Sequence, residues 1–323
     1  MIKVENLSKT YETKIKKGLF KSEKKYVEAV RKLDMEIERG KIIGLLGING
    51  AGKTTTIKML STLLQPTGGS ITVDGIDAVK NPIQIKKRIN MVAGGERMIY
   101  WRLTGRENLW YYGQLYGIED DVLNKRIDNL LKLVGMEEKG NVPVENYSKG
   151  MKQRLQIARG LINDPDYIFM DEPTLGLDSV IAKELRAYVK KIAVEGNKGI
   201  LLTSHYMAEI EELCDYVYIL NKGEVIAVGT PKELAQLGLK KKKLFLEAGM
   251  DSEDIGEKLN EACRLADSSS VVHKEEETFV ITSSVDLRAV VSKVCVDNRA
   301  VINKFYEEEP KLEDAIIKLS KGA

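Results

Sequence analysis

The chain has 323 residues, enough for one large domain or two. With 43% hydrophobic residues, 30% charged residues and a formal net charge of +2, it has the makings of a packed core and is not a dedicated polyanion binder. Cys214, Cys263 and Cys295 form no C-x-x-C pair, which suits a reducing cytoplasm, and no apolar run approaches the ~18 residues of a membrane helix. The start, Met1-Ile2-Lys3-Val4-Glu5, alternates like a strand and does not read as a signal peptide.

Residues 1–11 predict a short strand closed by a polar turn. Residues 14–25, KIKKGLFKSEKK, set six lysines against Glu23; a solvated loop is expected, with contact to anionic lipid headgroups as the alternative. Residues 30–38 alternate as a strand, and Gly40 turns the chain into the apolar run Ile42, Ile43, Leu45, Leu46. GINGAGKTT follows, then a helix-compatible stretch over 55–63. Residues 66–69 are turn chemistry, 70–73 a short strand and Asp74-Gly75 a turn. From about 81 to 162 a helical region is predicted, broken at Gly94-Gly95, Gly117, Gly135 and Pro143, with helical apolar spacing over 109–116, 122–133 and 151–162. Strands are expected at 167–170, 200–203, 217–220 and 225–228, and helices at 181–194, 207–214 and 231–237. Strands alternating with helices imply a mainly parallel sheet covered on both faces.

Four lysines, 240–243, mark a boundary, giving an expected division into 1–238 and 239–323. The order after it is strand 244–247, helix 252–265, hairpin 271–282, helix 287–296, strand 301–306 and helix 312–319. This β-α-β-β-α-β order matches the ferredoxin-like unit. Residues 244–323 hold 10 basic and 17 acidic residues, so this piece is acidic and the rest basic.

Gly47 to Thr55 fits G-x-x-x-x-G-K-[ST] at Gly47, Gly52, Lys53 and Thr54, between a strand and a helix, the context that identifies a phosphate-binding loop. Glycines let successive N–H groups turn toward one anion, and the helix adds the positive end of its dipole. Lys53 is expected to reach the β- and γ-phosphates and the Thr54 hydroxyl to ligate Mg²⁺; Asn49, Gly50 and Thr55 complete the nucleotide-binding set. A second carboxylate site is needed, and the apolar strand ending in Asp171-Glu172 supplies it. Asp171 can bind Mg²⁺ through water, and Glu172 can polarise an attacking water.

The segment Tyr147-Ser148-Lys149-Gly150-Met151 lies between these two motifs, and here the chain resembles the ATP-binding cassette (ABC) family, whose signature LSGGQ appears as YSKGM. The resemblance implies a P-loop NTPase with a RecA-like core plus antiparallel β and helical subdomains. It further implies a homodimer sandwiching two ATP molecules, Ser148 and Gly150 of one subunit completing the pocket of the other. Leu175-Gly176-Leu177-Asp178 resembles the D-loop, with Asp178 at the subunit contact. Thr203-Ser204-His205 resembles the switch segment, with His205 at the γ-phosphate. Tyr11 stands where the family places an aromatic ring against adenine, with Tyr26 as fallback. Catalysis then falls to Glu172, His205 and Lys53.

One position departs from the family: the Q-loop glutamine is replaced by Gly95. A neighbouring Glu96 would be repelled by the γ-phosphate, so water is expected to fill the place, and Glu96→Ala is expected to keep ATPase activity. Beside it Met98, Ile99, Tyr100 and Trp101 form an apolar patch, read as a docking surface for a permease with internal packing as the alternative. The C-terminal piece is similar to the accessory domain of drug-resistance-type ABC ATPases through Glu309-Pro310-Lys311-Leu312-Glu313-Asp314. The resemblance therefore implies the ATPase subunit of an exporter, cytoplasmic and peripheral on the cell membrane through a separately encoded permease, with no nucleic-acid partner. A soluble ABC ATPase acting on ribosomes or DNA is the alternative, and a phosphate-loop kinase a third. The cargo is not legible, because nucleotide subunits rarely touch it.

Overall fold

In the computed structural model, which describes residues 1–16, 22–93, 99–238, 241–249 and 252–322, the two N-terminal alternating stretches pair with each other. Strands Ile2–Lys16 and Ser22–Ile37 form one antiparallel hairpin, in register from Ile2 opposite Ile37 to Lys16 opposite Ser22. This corrects the expected ending at residue 11: the strands run on into the lysine-rich segment. Strands Gly68–Val73 and Ile76–Asp77 complete a four-stranded sheet against Ile2–Lys16. Its inner positions, among them Ile2, Leu7, Leu33, Met35 and Ile37, are fully buried against Ile57, Met59, Leu60 and Phe169. Alternation puts these side chains on one face, which is why the pattern was visible in the sequence.

The second sheet has six strands in the order Glu224–Gly229, Tyr216–Asn221, Ile42–Gly47, Gly199–Thr203, Tyr167–Asp171, Ile89–Ala93. All neighbours are parallel except the first pair. The three central strands are buried nearly throughout, as expected for a sheet covered on both faces. Ile89–Ala93 falls inside the region predicted to be helical. Five residues of moderate hydrophobicity carry no period that separates a strand from a helix segment; pairing with Tyr167–Asp171 decides it.

Four helices lie between this strand and Tyr167–Asp171 or flank the site. Gly105–Leu115 opens with a reciprocal capping box between Thr104 and Glu107, Asp120–Leu133 buries Leu123, Ile127, Leu130 and Leu131, and Lys149–Gly160 starts at Ser148. Ser179–Val194 starts at Asp178, whose carboxylate accepts from the Val180 and Ile181 amides.

By internal contacts the chain divides into two compact units, Met1–Pro231 with Leu319–Ala323, and Lys232–Lys318. The division falls after Pro231, the first residue of the helix Pro231–Gly238, and not after Gly238 as expected. The second unit has strands Lys242–Gly249, Val271–Glu275, Thr278–Ser283 and Val301–Glu307 and helices Ser252–Ala266, Arg288–Asp297 and Leu312–Gly322. The sheet places its first strand between the third and the fourth, all antiparallel, which is the ferredoxin-like arrangement. Leu246, Leu259, Cys263, Ile281, Val291 and Cys295 fill its core.

Candidate active site

In open α/β sheets, ligands bind outside the carboxyl ends of the parallel strands. Here five such ends lie side by side, that of Tyr216–Asn221 among them, and three carry the residues singled out above. Ile42–Gly47 runs into the glycine-rich loop, Gly199–Thr203 into Ser204 and His205, and Tyr167–Asp171 into Glu172. Another, Ile89–Ala93, runs toward Gly95, Glu96 and Met98, which lie outside the described residues.

The loop is held by close approach of backbone. Gly47 has φ 151°, and a Cβ there would stand 2.3 Å from the Leu220 carbonyl oxygen; Gly52 has φ 109°, and its Cβ would stand 2.5 Å from the Ala29 carbonyl oxygen. Neither position accepts a side chain. The turn at Lys222-Gly223 lies beneath: the Gly223 amide donates to the Ala51 carbonyl at 3.0 Å, and the Gly223 carbonyl accepts from the Arg31 amide at 2.7 Å. Helix Lys53–Leu60 then starts at the loop with its first amides toward it. The Lys53 ammonium donates to the carbonyls of Gly47 at 2.5 Å and Ile48 at 3.3 Å, so it sits at the centre of the loop. Burial lowers its pKa, and Glu172 and Asp171 pull in the opposite direction. Thr54 is exposed, Gly50 has open space at its Cβ position, and Thr55 faces the Tyr11 hydroxyl at 3.5 Å. Tyr26, the fallback, is 61% exposed on the hairpin opposite Glu12.

Asp171 and Thr203 are register partners, and the Thr203 hydroxyl donates to Asp171 Oδ1 at 2.6 Å. Glu172 follows with φ 52°, a left-handed conformation that a non-glycine residue adopts only under constraint. The constraint is visible: its amide donates to the Thr203 carbonyl at 3.0 Å. The turn brings Glu172 Oε1 to 2.7 Å from His205 Nε2. Lys53, Asp171, Glu172 and His205 therefore come from three adjacent strand ends and share one edge.

The signature residues lie elsewhere in the chain's own fold. The Ser148 hydroxyl accepts from the Met151 amide at 3.2 Å and caps its helix, exposed. A Cβ at Gly150 would stand 2.7 Å from Ile181 Cδ1, which lets that helix pack closely on Ser179–Val194. Asp178 is exposed at the start of the latter helix. Among the described residues, Ser148 and Asp178 bond as caps to their own helices and not to the Lys53 loop.

Of the docking patch, Ile99 is 8% exposed and belongs to the interior, whereas Tyr100 and Trp101 are 46% and 48% exposed. Tyr100 joins Tyr111 and Tyr112 in an aromatic cluster, with ring centroids 5.0 Å apart for the first pair. The Lys152 ammonium lies 4.2 Å from the Trp101 ring centroid.

Two contributors had no assigned role in the sequence: Thr203, which binds both Asp171 and the Glu172 amide, and Gly223 beneath the loop; the left-handed turn at Glu172 was not foreseen either. Thr203 stood in the quoted Thr203-Ser204-His205 segment, but its partners lie 31 and 32 residues away.

A parallel sheet whose carboxyl edge joins a phosphate loop to a carboxylate pair and a histidine defines a P-loop ATPase. The family model described as ABC transporter matches residues 30–175. The ATP-binding protein NatA of Bacillus subtilis is 46% identical over 215 residues, 67% of this chain and 87% of that protein. The bacitracin transport ATP-binding protein BcrA of Bacillus licheniformis is 34% identical over 300 residues, 91% of this chain and 93% of that protein. Among solved structures, a dimeric post-hydrolysis ATP-binding cassette bound to ADP and Pi superposes with TM-score 0.62 at 25% identity, covering 71% of this chain and 98% of that one. The chain belongs to the ABC transporter ATP-binding family; it binds ATP and is an ATPase.

Proposed function

We propose that this protein is the motor subunit of an exporter, working as a homodimer on a separately encoded membrane permease. The observation that carries the reading is the 2.7 Å contact between Glu172 and His205 at neighbouring strand ends, above the loop that holds Lys53. ATP lies along the loop amides from Asn49 and Gly50 through Gly52, Thr54 and Thr55, with its adenine on Tyr11. Lys53 binds the β- and γ-phosphates. Glu172 orients water toward the γ-phosphate, and His205 contacts that phosphate and fixes the carboxylate. Among the described residues no three His, Cys, Asp or Glu side chains cluster as a metal cage. The hydroxyl of Thr54 and the carboxylate of Asp171 are hard oxygen donors that suit Mg²⁺, which takes one or two protein ligands plus phosphate oxygens; they would hold it, and it would neutralise phosphate charge.

The exposed Ser148 cap, Gly150 and Asp178 supply the partner copy's half of the sandwich, a helix N-terminus aimed at a phosphate. The solved dimeric relative bound to ADP and Pi supports that arrangement. The unit ending at Pro231 acts as the nucleotide-binding domain and the unit Lys232–Lys318 as an accessory domain; the match to BcrA over 91% of this chain supports a shared C-terminal part. Tyr100 and Trp101 dock the permease, which holds the protein on the cytoplasmic face of the membrane. The similar proteins named for bacitracin transport, linearmycin resistance and Nod factor export support export and leave the cargo open.

The test is ATP-dependent dimerisation of the Glu172→Gln protein by size-exclusion chromatography with light scattering. A dimer with ATP, a monomer with ADP, and loss of the dimer on adding Ser148→Arg are expected. A monomer at saturating ATP would refute the sandwich, and co-purification of the permease with Tyr100→Glu/Trp101→Glu as with wild type would refute the docking surface.

A further inference from the structure

Helix Met207–Leu213 follows His205 directly, and it buries a carboxyl. Glu209 is 2% exposed. Its Oε2 accepts from the Thr174 hydroxyl at 3.0 Å, while Oε1 is buried with no hydrogen-bond partner among the described residues. Burial raises its pKa against the pull of Ser204, Thr174 and Arg186. Arg186 itself is engaged by Glu212 at 2.6 Å. A leucine would fit the apolar side of this helix, beside Leu213 and Ile210, at lower cost than a half-satisfied carboxyl. Stability alone does not account for Glu209.

Its position does. Thr174 is two residues past Glu172, separated from it only by Pro173, whose φ is fixed. Ser204 immediately precedes His205, and its hydroxyl already accepts from the Tyr206 amide at 3.0 Å. The two segments thus meet at three places: the Glu172 amide on Thr203, the Glu172 carboxylate on His205, and Thr174 on Glu209. The first two involve Glu172 itself. The third ties down the chain just beyond it, where the Leu175–Asp178 loop begins. Beyond the turn bond from the Leu175 amide back to the Glu172 carbonyl at 3.2 Å, that tie is what fixes the far side of the left-handed turn to the neighbouring segment.

We propose that Glu209 is a positioning residue for ATP hydrolysis: its carboxyl clamps the segment following Glu172 to the helix following His205 and so holds the carboxylate and imidazole in register. This rests on the reading of Glu172 and His205 as the catalytic pair. Because Glu209 is buried and reaches Glu172 through the Thr174 segment it ties, its loss affects the rate of the chemical step and leaves ATP binding in place.

The experiment measures steady-state ATPase kinetics, binding of a fluorescent ATP analogue and thermal unfolding for full-length Glu209→Ala, Glu209→Gln, Thr174→Val and the double variant Glu209→Ala/Thr174→Val. The expected result is a fall in kcat of tenfold or more for Glu209→Ala and Thr174→Val, with analogue affinity within twofold of wild type. Glu209→Gln, whose amide oxygen still accepts from Thr174, keeps at least a third of wild-type kcat. The double variant is no slower than the worse single one, since both remove the same tie. The proposal is overturned if Glu209→Ala stays within threefold of wild type, if Glu209→Gln is as slow as Glu209→Ala, or if the double variant shows the product of the single losses. Should Glu209→Ala fail to fold, Thr174→Val, which leaves the helix intact, decides alone by the same criteria. Glu172→Gln and His205→Ala run alongside: wild-type turnover in these would remove the catalytic pair itself, whereas their failure beside an active Glu209→Ala would remove only the clamp.

Discussion

Lys53 and Glu172 stand on one edge of the sheet, and on the proposed reading their substitutions separate binding from chemistry. The Lys53 ammonium is buried on loop carbonyls, where its charge acts in a medium less polar than water. Removing it with Lys53→Ala takes away the loop's one charged donor. ATP affinity is expected to fall at least tenfold, read by fluorescent-nucleotide titration. Glu172→Gln keeps volume and a hydrogen-bond acceptor toward His205 but has no negative charge with which to orient water. Its kcat is expected to fall by about two orders of magnitude with ATP affinity within threefold of wild type. A Glu172→Gln protein with wild-type kcat would end the assignment of that residue.

Gly47 and Gly52 show how elements, and not only residues, make the loop. The carbonyls that forbid their side chains belong to the strand Tyr216–Asn221 and the hairpin strand Ser22–Ile37. Gly52→Ala is expected to lower thermal stability and to weaken ATP binding together, because the added methyl collides with backbone at a left-handed position. Asp74, in the turn after Gly68–Val73, is a second such junction. Burial works against its charge, yet hydrogen bonds from Tyr167 and Arg39 are among those that outweigh it, and its pKa falls well below the ordinary carboxylate range. A depressed carboxylate pKa gives stability that is present above the unfolded value, about 4, and is lost as pH falls through the window below it. Wild type is therefore expected to lose stability more steeply than Asp74→Asn below about pH 4, in urea melts taken across that range. The strands around these junctions were legible because one face alternates or the whole run is apolar. The extension of the hairpin to Lys16 and Ser22 was not legible: local lysine content argues for a loop, and only cross-strand register overrides it. Ile89–Ala93 was hidden because five residues without a period do not separate a strand from a helix, and pairing with Tyr167–Asp171 decides it. In the site, the loop, the carboxylates and His205 were legible as motifs, whereas Thr203 and Glu209 act through partners that are about thirty residues distant in sequence and local pattern cannot reveal.

At the scale of the whole molecule, the lysine run 240–243 and the change to acidic composition suggest a cut after residue 238, while packing suggests a cut before residue 232. The helix Pro231–Gly238 decides between them. Leu234 and Ala235 are buried, a Cβ on Gly238 would stand 2.7 Å from the Ala315 backbone nitrogen, and the Lys318 ammonium donates to the Leu237 carbonyl at 2.7 Å. These contacts belong to the second unit, so a fragment ending at 238 carries a helix stripped of the surface it packs on. Exposing one buried leucine costs about 1.5–3 kcal/mol, and an orphaned amphipathic helix of eight residues has no stability of its own. Fragment 1–231 is therefore expected to melt cooperatively with little binding of a hydrophobic dye, whereas 1–238 binds the dye and aggregates at lower temperature. The complementary fragment 232–318 is expected to melt cooperatively by itself, and 239–318, lacking the helix, at lower temperature. Equal melting and dye binding for the two N-terminal fragments would assign the helix to the first unit and place the working boundary back at the lysines.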